Sequence, residues 1–338
     1  MKKKEILANF LIRTRLYKPA SFFYSNILSP VTVLAYHRIK NIDSDYVFDK
    51  NLISASVDVF EEQVAYVNKY FNPISCEELA YSIRNNKKLP KKSVLITFDD
   101  GFDDNYHSAY KILHSYSVPA TFFISSGYID SQLPYWFDWM YMIYENMVGQ
   151  NMHSDLVKLL TDFGYQHNGV VNEMLYFIRK LDNSKREAIV SGLIDSCEKE
   201  GIEIRSEYCK PMTWSQVREM SDNGYDIGSH TVNHPILSTC TEDEMIYELA
   251  KSKERIESNI EKEVISVAYP VGSSSAYNNK TVKFAEKLGY KIGFSYESGR
   301  CYIDSSNIYE IKRIHVESCT NMNNFICKLS TPMIFDKT

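Results

Sequence analysis

The sequence predicts an α/β fold in which helices cover a parallel sheet, and three observations carry that reading. Short runs rich in β-branched and aromatic residues recur at VTVLAY (31–36), SVLITF (93–98), ATFFIS (120–125), YDIGS (225–229), ISVAY (265–269), KIGFS (291–295) and EIKRIHV (310–316). Helically spaced patterns separate several of them. The runs are also continuously apolar rather than alternating, as strands covered on both faces are. Such an alternation of strand and helix implies a parallel sheet, open or closed into a barrel.

The elements follow in order. Residues 1–30 form a basic amphipathic segment, MKKKEILANFLIRTRLYKPASFFYSNILSP; its first 20 residues hold six basic side chains and one acidic one. That composition suits an anionic membrane surface, or equally a basic helix packed on its own domain. Arg13, Arg15 and Lys18 break the apolar run well short of a signal-peptide core or a membrane span. Residues 31–338 read as one domain. DVFEEQVAYVNKYF (58–71) has helical spacing, with Ser56 or Asp58 as cap. DDNYHSAYKILHSYS (103–117) predicts another helix, closed by Pro119. From about Gly127 to Pro211 no strand pattern occurs, only helical ones such as WFDWMYMIYENMV, SDLVKLLTDFGY, NEMLYFIRKL and SKREAIVSGLIDSCEKEG. That stretch reads as a helical insertion in the core. TEDEMIYELAKSKERIESNI (241–260) opens on a capping box, Thr241 with Glu244, and carries charge pairs at helical spacing.

Composition narrows the function classes. With 43 acidic against 38 basic side chains, the chain as a whole lacks the charge of a nucleic-acid binder. A hydrophobic content of 44% argues against disorder. The 7 cysteines (Cys76, Cys197, Cys209, Cys240, Cys301, Cys319, Cys327) include no C-x-x-C, so no zinc knuckle is suggested, and scattered thiols fit a reducing compartment. The 25 tyrosines offer flat faces with polar tips, which suit sugars or simple packing.

Chemistry gathers where the strand runs end. SVLITF runs into Asp99, Asp100 and Gly101, which is either a solvated turn or a site whose two carboxylates face different ways. DIGSHTVNHP sets His230 and His234 four apart; with one carboxylate they make a three-ligand site with open positions, the pattern of catalytic zinc or iron. His37 ends the first run and either anchors a loop or acts as a general acid. VAYPVG places Pro270 and Gly272 after another run, and Arg313 and His315 alternate onto one side of the last. Carboxyl ends of strands are where α/β proteins build their sites. Trp136, Asp138 and Trp139 of LPYWFDW either stack on a sugar or pack the insertion, and packing is the favoured reading.

Through TFDDG (97–101), SHTVNHP (229–235) and AYPVG (268–272), the sequence resembles the polysaccharide deacetylase family, the NodB-homology or carbohydrate esterase family 4 group. MTWSQVREMSDNGYDIGSHT (212–231) is similar to the family's lead-in to its histidine motif, and the resemblance spans roughly residues 31–316 outside the insertion. It implies a distorted (β/α) barrel of the NodB-homology type. It also implies a metal-dependent hydrolase that removes the N-acetyl group from a GlcNAc-type sugar and releases acetate. By the same resemblance Asp99 is the general base, and Asp100, His230 and His234 hold a divalent metal, most often Zn2+. Gly101 or Phe102 offers an amide to the oxyanion, and Tyr269 and Pro270 border the substrate. AYPVG lacks the arginine that many members carry in this motif. The chain is more similar to the branch of poly-N-acetylglucosamine deacetylases, whose early Tyr-His motif supplies the acid. That implies His37 as general acid, with His315 as competitor, and Arg313 orienting Asp99. The implied partner is an N-acetylated oligo- or polysaccharide of the cell surface or a lipid-linked precursor. It would be met on the cytoplasmic side, with membrane contact through the basic N-terminus. Two other classes are weighed. A catalytically inactive glycan-binding protein fits poorly with an intact Asp-Asp-His-His set. An iron oxygenase would carry its carboxylate two residues after the first histidine, where this chain has Val232.

Overall fold

A computed structural model of the chain describes residues 2–335 apart from 24–30, 43–45, 47, 132, 150–156, 159, 167–170, 200, 202–209, 303–307, 319 and 332–334. Seven parallel strands close into a barrel: β1 Thr32–Tyr36, β2 Ser93–Phe98, β3 Thr121–Ile124, β4 Asp226–Ser229, β5 Ser266–Ala268, β6 Ile292–Ser298 and β7 Ile311–His315. Each falls on one of the seven apolar runs. Closure is made by β1, which pairs with β2 from Thr32 opposite Val94 to Tyr36 opposite Phe98, and with β7 at Leu34 opposite Ile314. The distortion is visible in the register. β2 meets β3 only through Thr97 and Phe98, and β4 meets β5 only where Ser229 faces Val267.

Both faces of β1, β2, β3 and β5 are buried throughout, which is why those runs are largely apolar, whereas β7 exposes Lys312 and carries polar residues. Leu34, Val94, Ile96, Phe98 and Phe122 join Phe60, Val64, Leu249 and Ile256 in a core against the surrounding helices. Val33, Leu95, Phe123, Ala268 and Phe294 cluster together on the other face. Gly228 belongs to that crowding: a Cβ there would lie 2.4 Å from the Phe123 ring. The helix Cys76–Arg84, which the sequence analysis did not name, sends Cys76, Leu79 and Ile83 into this second cluster. Its Arg84 Nε donates to the Lys291 carbonyl just before β6 (3.1 Å), so the helix plugs the end opposite the strand C-termini.

Two predicted helices keep their caps. Ser56 caps Val57–Tyr70, and Thr241 with Glu244 forms the capping box of Glu242–Ile260. The third differs: over 103–117 the chain forms a π-helical stretch, Asn105–Tyr110, before the short α-helix Lys111–Ser115. π-Helical turns concentrate at functional sites. Among the described residues between Gly127 and Pro211 there is no strand. Helices Trp136–Gly149, Val171–Arg179 and Asn183–Lys199 pack around Met140, Ile143, Met174, Ile178, Ile189 and Leu193, a core of their own. Part of SDLVKLLTDFGY lies outside the described residues.

The N-terminal helix Lys2–Thr14 buries Ala8 against Cys327 of helix Met322–Ser330. No helix among the described residues is long and apolar enough to cross a membrane. Cys76, Cys197, Cys240, Cys301 and Cys327 are free and buried; Cys209 and Cys319 lie outside the described residues.

Candidate active site

The two aspartates after β2 separate by a change of backbone hand. The Asp99 N–H still bonds the Tyr36 carbonyl (2.9 Å), prolonging the β1–β2 ladder. Its carboxylate meets Arg313 of β7 in a two-pronged contact, Nη1 to Oδ1 and Nη2 to Oδ2, both 2.7 Å. Arg313 also donates Nε to the Ser295 carbonyl (2.9 Å) and Nη1 to Thr97 Oγ1 (3.2 Å). Arg313 and Asp99 are both buried. Burial alone would raise the Asp99 pKa, but the Arg313 charge, with His230 and His37 behind it, outweighs that and holds it low.

At Asp100 φ turns to +76°, and at Gly101 to +89°. A left-handed aspartate costs about 1–3 kcal/mol and persists only where its surroundings fix it. Here the Tyr135 hydroxyl and the Ser125 N–H (3.2 Å) both bond the Asp100 carbonyl. The turn swings the Asp100 carboxylate away from Asp99 toward the loop after β4. Its Oδ1 lies 3.4 Å from His230 Nε2 and 3.3 Å from His234 Nε2.

That loop is itself tightly specified. Thr231 and His234 both have positive φ, at +68° and +53°. The buried Glu248 carboxylate accepts the N–H groups of Val232 (2.7 Å) and Asn233 (2.9 Å) and the Asn233 side-chain amide (3.0 Å). Thr231 Oγ1 accepts the His234 N–H (3.1 Å), and Trp136 Nε1 donates to the His234 carbonyl (3.1 Å). His230 Nδ1 sits 2.8 Å from the Ala268 carbonyl, which fixes the proton there and turns Nε2 inward.

These residues fit a divalent metal. Three ligand atoms from Asp100, His230 and His234 lie within 4.8 Å of one another, all buried. Asp100 Oδ1 has no hydrogen-bond partner among the described residues, an orphan that a cation would satisfy. Burial would raise Asp100, yet the two imidazoles bring its pKa well below the carboxylate range, so it is ionised. Burial lowers His234, keeping it in the neutral form that ligates. Two imidazoles and one carboxylate leave coordination positions open, as a catalytic rather than structural site requires.

His37, Asp99, Asp100, His230 and His234 line one cavity of about 310 Å³, and Trp136 of the insertion forms part of its wall. His315 stands apart from this lining. Its ring stacks on Tyr296 at 3.7 Å, and burial with the Arg313 charge pushes its pKa down to about 3. Tyr296 does reach the cavity and meets the His37 ring edge-on at 5.3 Å.

The other residues singled out from sequence are placed as follows. The Gly101 N–H bonds the Asp99 carbonyl (3.0 Å), whereas the Phe102 N–H donates to no described residue. Tyr269 borders the cavity, but its hydroxyl donates to the Tyr309 carbonyl (3.0 Å) and its ring stacks on Tyr277. Pro270 lies outside the lining, and Val271, at φ +60°, takes its place. Trp139 packs in the insertion core, while Trp136 both packs and lines the cavity. Asp138 forms a buried ion pair with Arg38 (3.1 Å), whose guanidinium lies 3.6 Å over the Phe102 ring.

Several site residues escaped the sequence analysis. Glu248 sits in a charge-rich helix and looks like a surface carboxylate; the helical phase shared with buried Met245, Leu249 and Ser252 was the available signal. Ser54 and Asn105 flank motifs without belonging to them. Asp49, Tyr141 and Arg179 form the outer wall of the cavity and carried no motif at all.

Comparison with known proteins agrees with this geometry. The family model for polysaccharide deacetylase matches residues 86–293. The Bacillus subtilis (strain 168) protein YxkH is 25% identical over 285 residues, covering 84% of this chain and 70% of its own. A poly-β-1,6-N-acetyl-D-glucosamine N-deacetylase of Staphylococcus aureus (strain MSSA476) is 25% identical over 292 residues, covering 83% and 77%. Among solved structures, the Streptococcus pyogenes deacetylase PplD in complex with acetate superposes with a TM-score of 0.60 at 23% identity, over 90% of this chain and 99% of that one. IcaB from Ammonifex degensii gives 0.56 at 16% identity, over 92% and 98%. These structural likenesses establish the shared barrel.

Proposed function

This chain belongs to the polysaccharide deacetylase family, hydrolases acting on C–N bonds, and on that premise we propose that it removes acetyl groups from a poly-N-acetylglucosamine-type glycan. The observation that carries the proposal is one cavity holding a carboxylate on an arginine fork, a second carboxylate between two histidines, and a third histidine opposite. The glycan class rests on the Staphylococcus aureus relative, which is named for a poly-β-1,6-linked N-acetylglucosamine.

The roles follow from where each group sits. Asp100, His230 and His234 would hold a divalent ion, and the nitrogen-rich donor set favours Zn2+. When bound there, the ion would supply Lewis acidity for the acetamido carbonyl and for water, lowering the water's pKa toward about 7. Asp99, kept ionised by Arg313, takes the proton of the attacking water. The Phe102 N–H, free of backbone partners, supports the oxyanion. His37 protonates the departing amine; its place in the cavity, against the buried and scarcely basic His315, supports that choice. The catalytically inactive alternative is disfavoured by this complete set.

The N-terminal helix supports a further element of the proposal, contact with an anionic membrane surface. Opposite the packed Ala8 face, Ile6 (69% exposed) and Phe10 (55% exposed) project outward beside Lys3 and Arg13. Such contact would suit a lipid-linked or surface-bound glycan. The test is acetate release from N-acetylated oligosaccharides, polymer and lipid-linked sugars by metal-loaded and chelated protein. Release that needs the metal supports the proposal; binding without any release by the loaded protein hands the case to the glycan-binding reading.

A further inference from the structure

His37 is the first residue of its segment to leave the barrel ladder. β1 ends at Tyr36, and Arg38–Ile39 continues in a separate short pairing with Ile53–Ala55. The backbone N–H and C=O of His37 therefore have no place in the barrel ladder, and a partly buried backbone group must find a partner elsewhere. Two side chains supply it. Ser54 Oγ accepts the His37 N–H at 2.9 Å, and Asn105 Nδ2 donates to the His37 carbonyl at 2.7 Å. Both partners are buried, Ser54 at 2% and Asn105 at 0% exposure. One step further on, Asp104 Oδ1 accepts the Ile39 N–H (2.9 Å) and also an amide hydrogen of Asn105 (3.2 Å). The peptide carrying the imidazole is thus gripped from both sides.

Asn105 comes from the π-helical turn that follows the aspartate motif, six positions beyond Asp99. One loop therefore carries the carboxylate on the attacking side and the amide that fixes the histidine on the leaving-group side. We propose that Asn105, assisted by Ser54, is a positioning residue that sets the reach of His37 toward the departing amine. The inference rests on reading His37 as the general acid. It deepens that reading by naming what holds the acid at its working distance. Displacing a catalytic group by about 1 Å is enough to lose on the order of 10²-fold in rate.

The test uses the metal-loaded full chain and two substrates. An N-acetyl glycan has an amine leaving group that needs a proton; an aryl acetate ester has a phenolate that does not. Asp99→Asn serves as the blank that ties both reactions to this cavity. Asn105→Ala is expected to lower kcat on the glycan about 10- to 100-fold with KM within about twofold, and to leave ester turnover within about twofold. Asn105→Leu, close in size but unable to donate, is expected to behave likewise and carries the test should the alanine variant fail to fold. Equal losses on glycan and ester, or no loss on either, would overturn the inference. His37→Ala, run in parallel, separates the two levels. If it spares the ester while Asn105→Leu does not, positioning by Asn105 fails and the acid assignment stands. If His37→Ala damages both reactions alike, the acid assignment falls and takes this inference with it.

Discussion

Replacing Arg313 with methionine probes the link between fold and chemistry most directly. The guanidinium makes four hydrogen bonds inside the barrel, two of them charge-assisted contacts of 2.7 Å to Asp99. Opposite charges about 4 Å apart at an effective dielectric of 20 attract by roughly 4 kcal/mol, and removing one member of a buried pair typically costs about 3–5 kcal/mol. Unfolding in denaturant should report a loss of that order at neutral pH. The sign of the pH dependence follows. Asp99 is held below its ordinary value, so its contribution to stability is present above that value and fades as pH falls through the folded pKa. Without Arg313 the burial that raises Asp99 is opposed only by the more weakly acting His230 and His37. The acid limb of the acetate-release profile should therefore move to higher pH, and turnover at neutral pH should fall on the order of 10²-fold as the carboxylate loses its fork. Arg313→Lys should lie between, since a point charge replaces two parallel contacts. Metal content should not change, because no ligand is touched. An unshifted acid limb together with unchanged stability would refute the coupling.

Asp99→Asn should abolish turnover while a supplied divalent metal still binds; loss of the ion by metal analysis would show that the two aspartate roles are reversed. His37→Ala should slow deacetylation on the order of 10²–10⁴-fold, whereas His315→Ala should leave most activity, and the opposite ranking in steady-state assays would move the acid to His315. Asp104 is buried, and burial, partly offset by Arg38 and Lys40 and reinforced by Asp103, lifts its pKa from 3.8 to about 7. Between about pH 4 and 7 the unfolded chain gives up a proton that the folded chain keeps, so stability drops by up to about 4 kcal/mol across that window. Asp104→Asn keeps an acceptor for the Ile39 N–H and should be the more stable protein at pH 8, the gap closing by pH 4; a constant gap in denaturant titrations would contradict this.

The strands of the barrel and the metal-side residues were legible because their signals are local. A strand buried on both faces must be apolar throughout, and Asp99, Asp100, His230 and His234 sit where such strands end. What was hidden arises from tertiary contact. The helix Cys76–Arg84 is short, and nothing in its sequence announces that it plugs the barrel. Glu248 has the chemistry of a surface residue and is buried only because the loop of Val232 and Asn233 offers it three donors. The π-helical stretch at Asn105 has a sequence with ordinary α-helical spacing. The wall made by Asp49, Tyr141 and Arg179 joins a turn near β1 to two insertion helices, a meeting that no linear pattern records.

The Arg38–Asp138 pair bears on how this protein can change over evolutionary time. Asp138 belongs to the insertion, yet its partner follows His37 and rests on the ring of Phe102, close behind the aspartate motif. The inserted helices are therefore wired into the centre rather than appended to the rim. Trimming them, or grafting in a homologue's segment without an acid at this position, would take this ion pair from a guanidinium buried two residues past the end of β1, just after His37. Remodelling of this segment that drops the carboxylate would break this contact unless Arg38 changed with it.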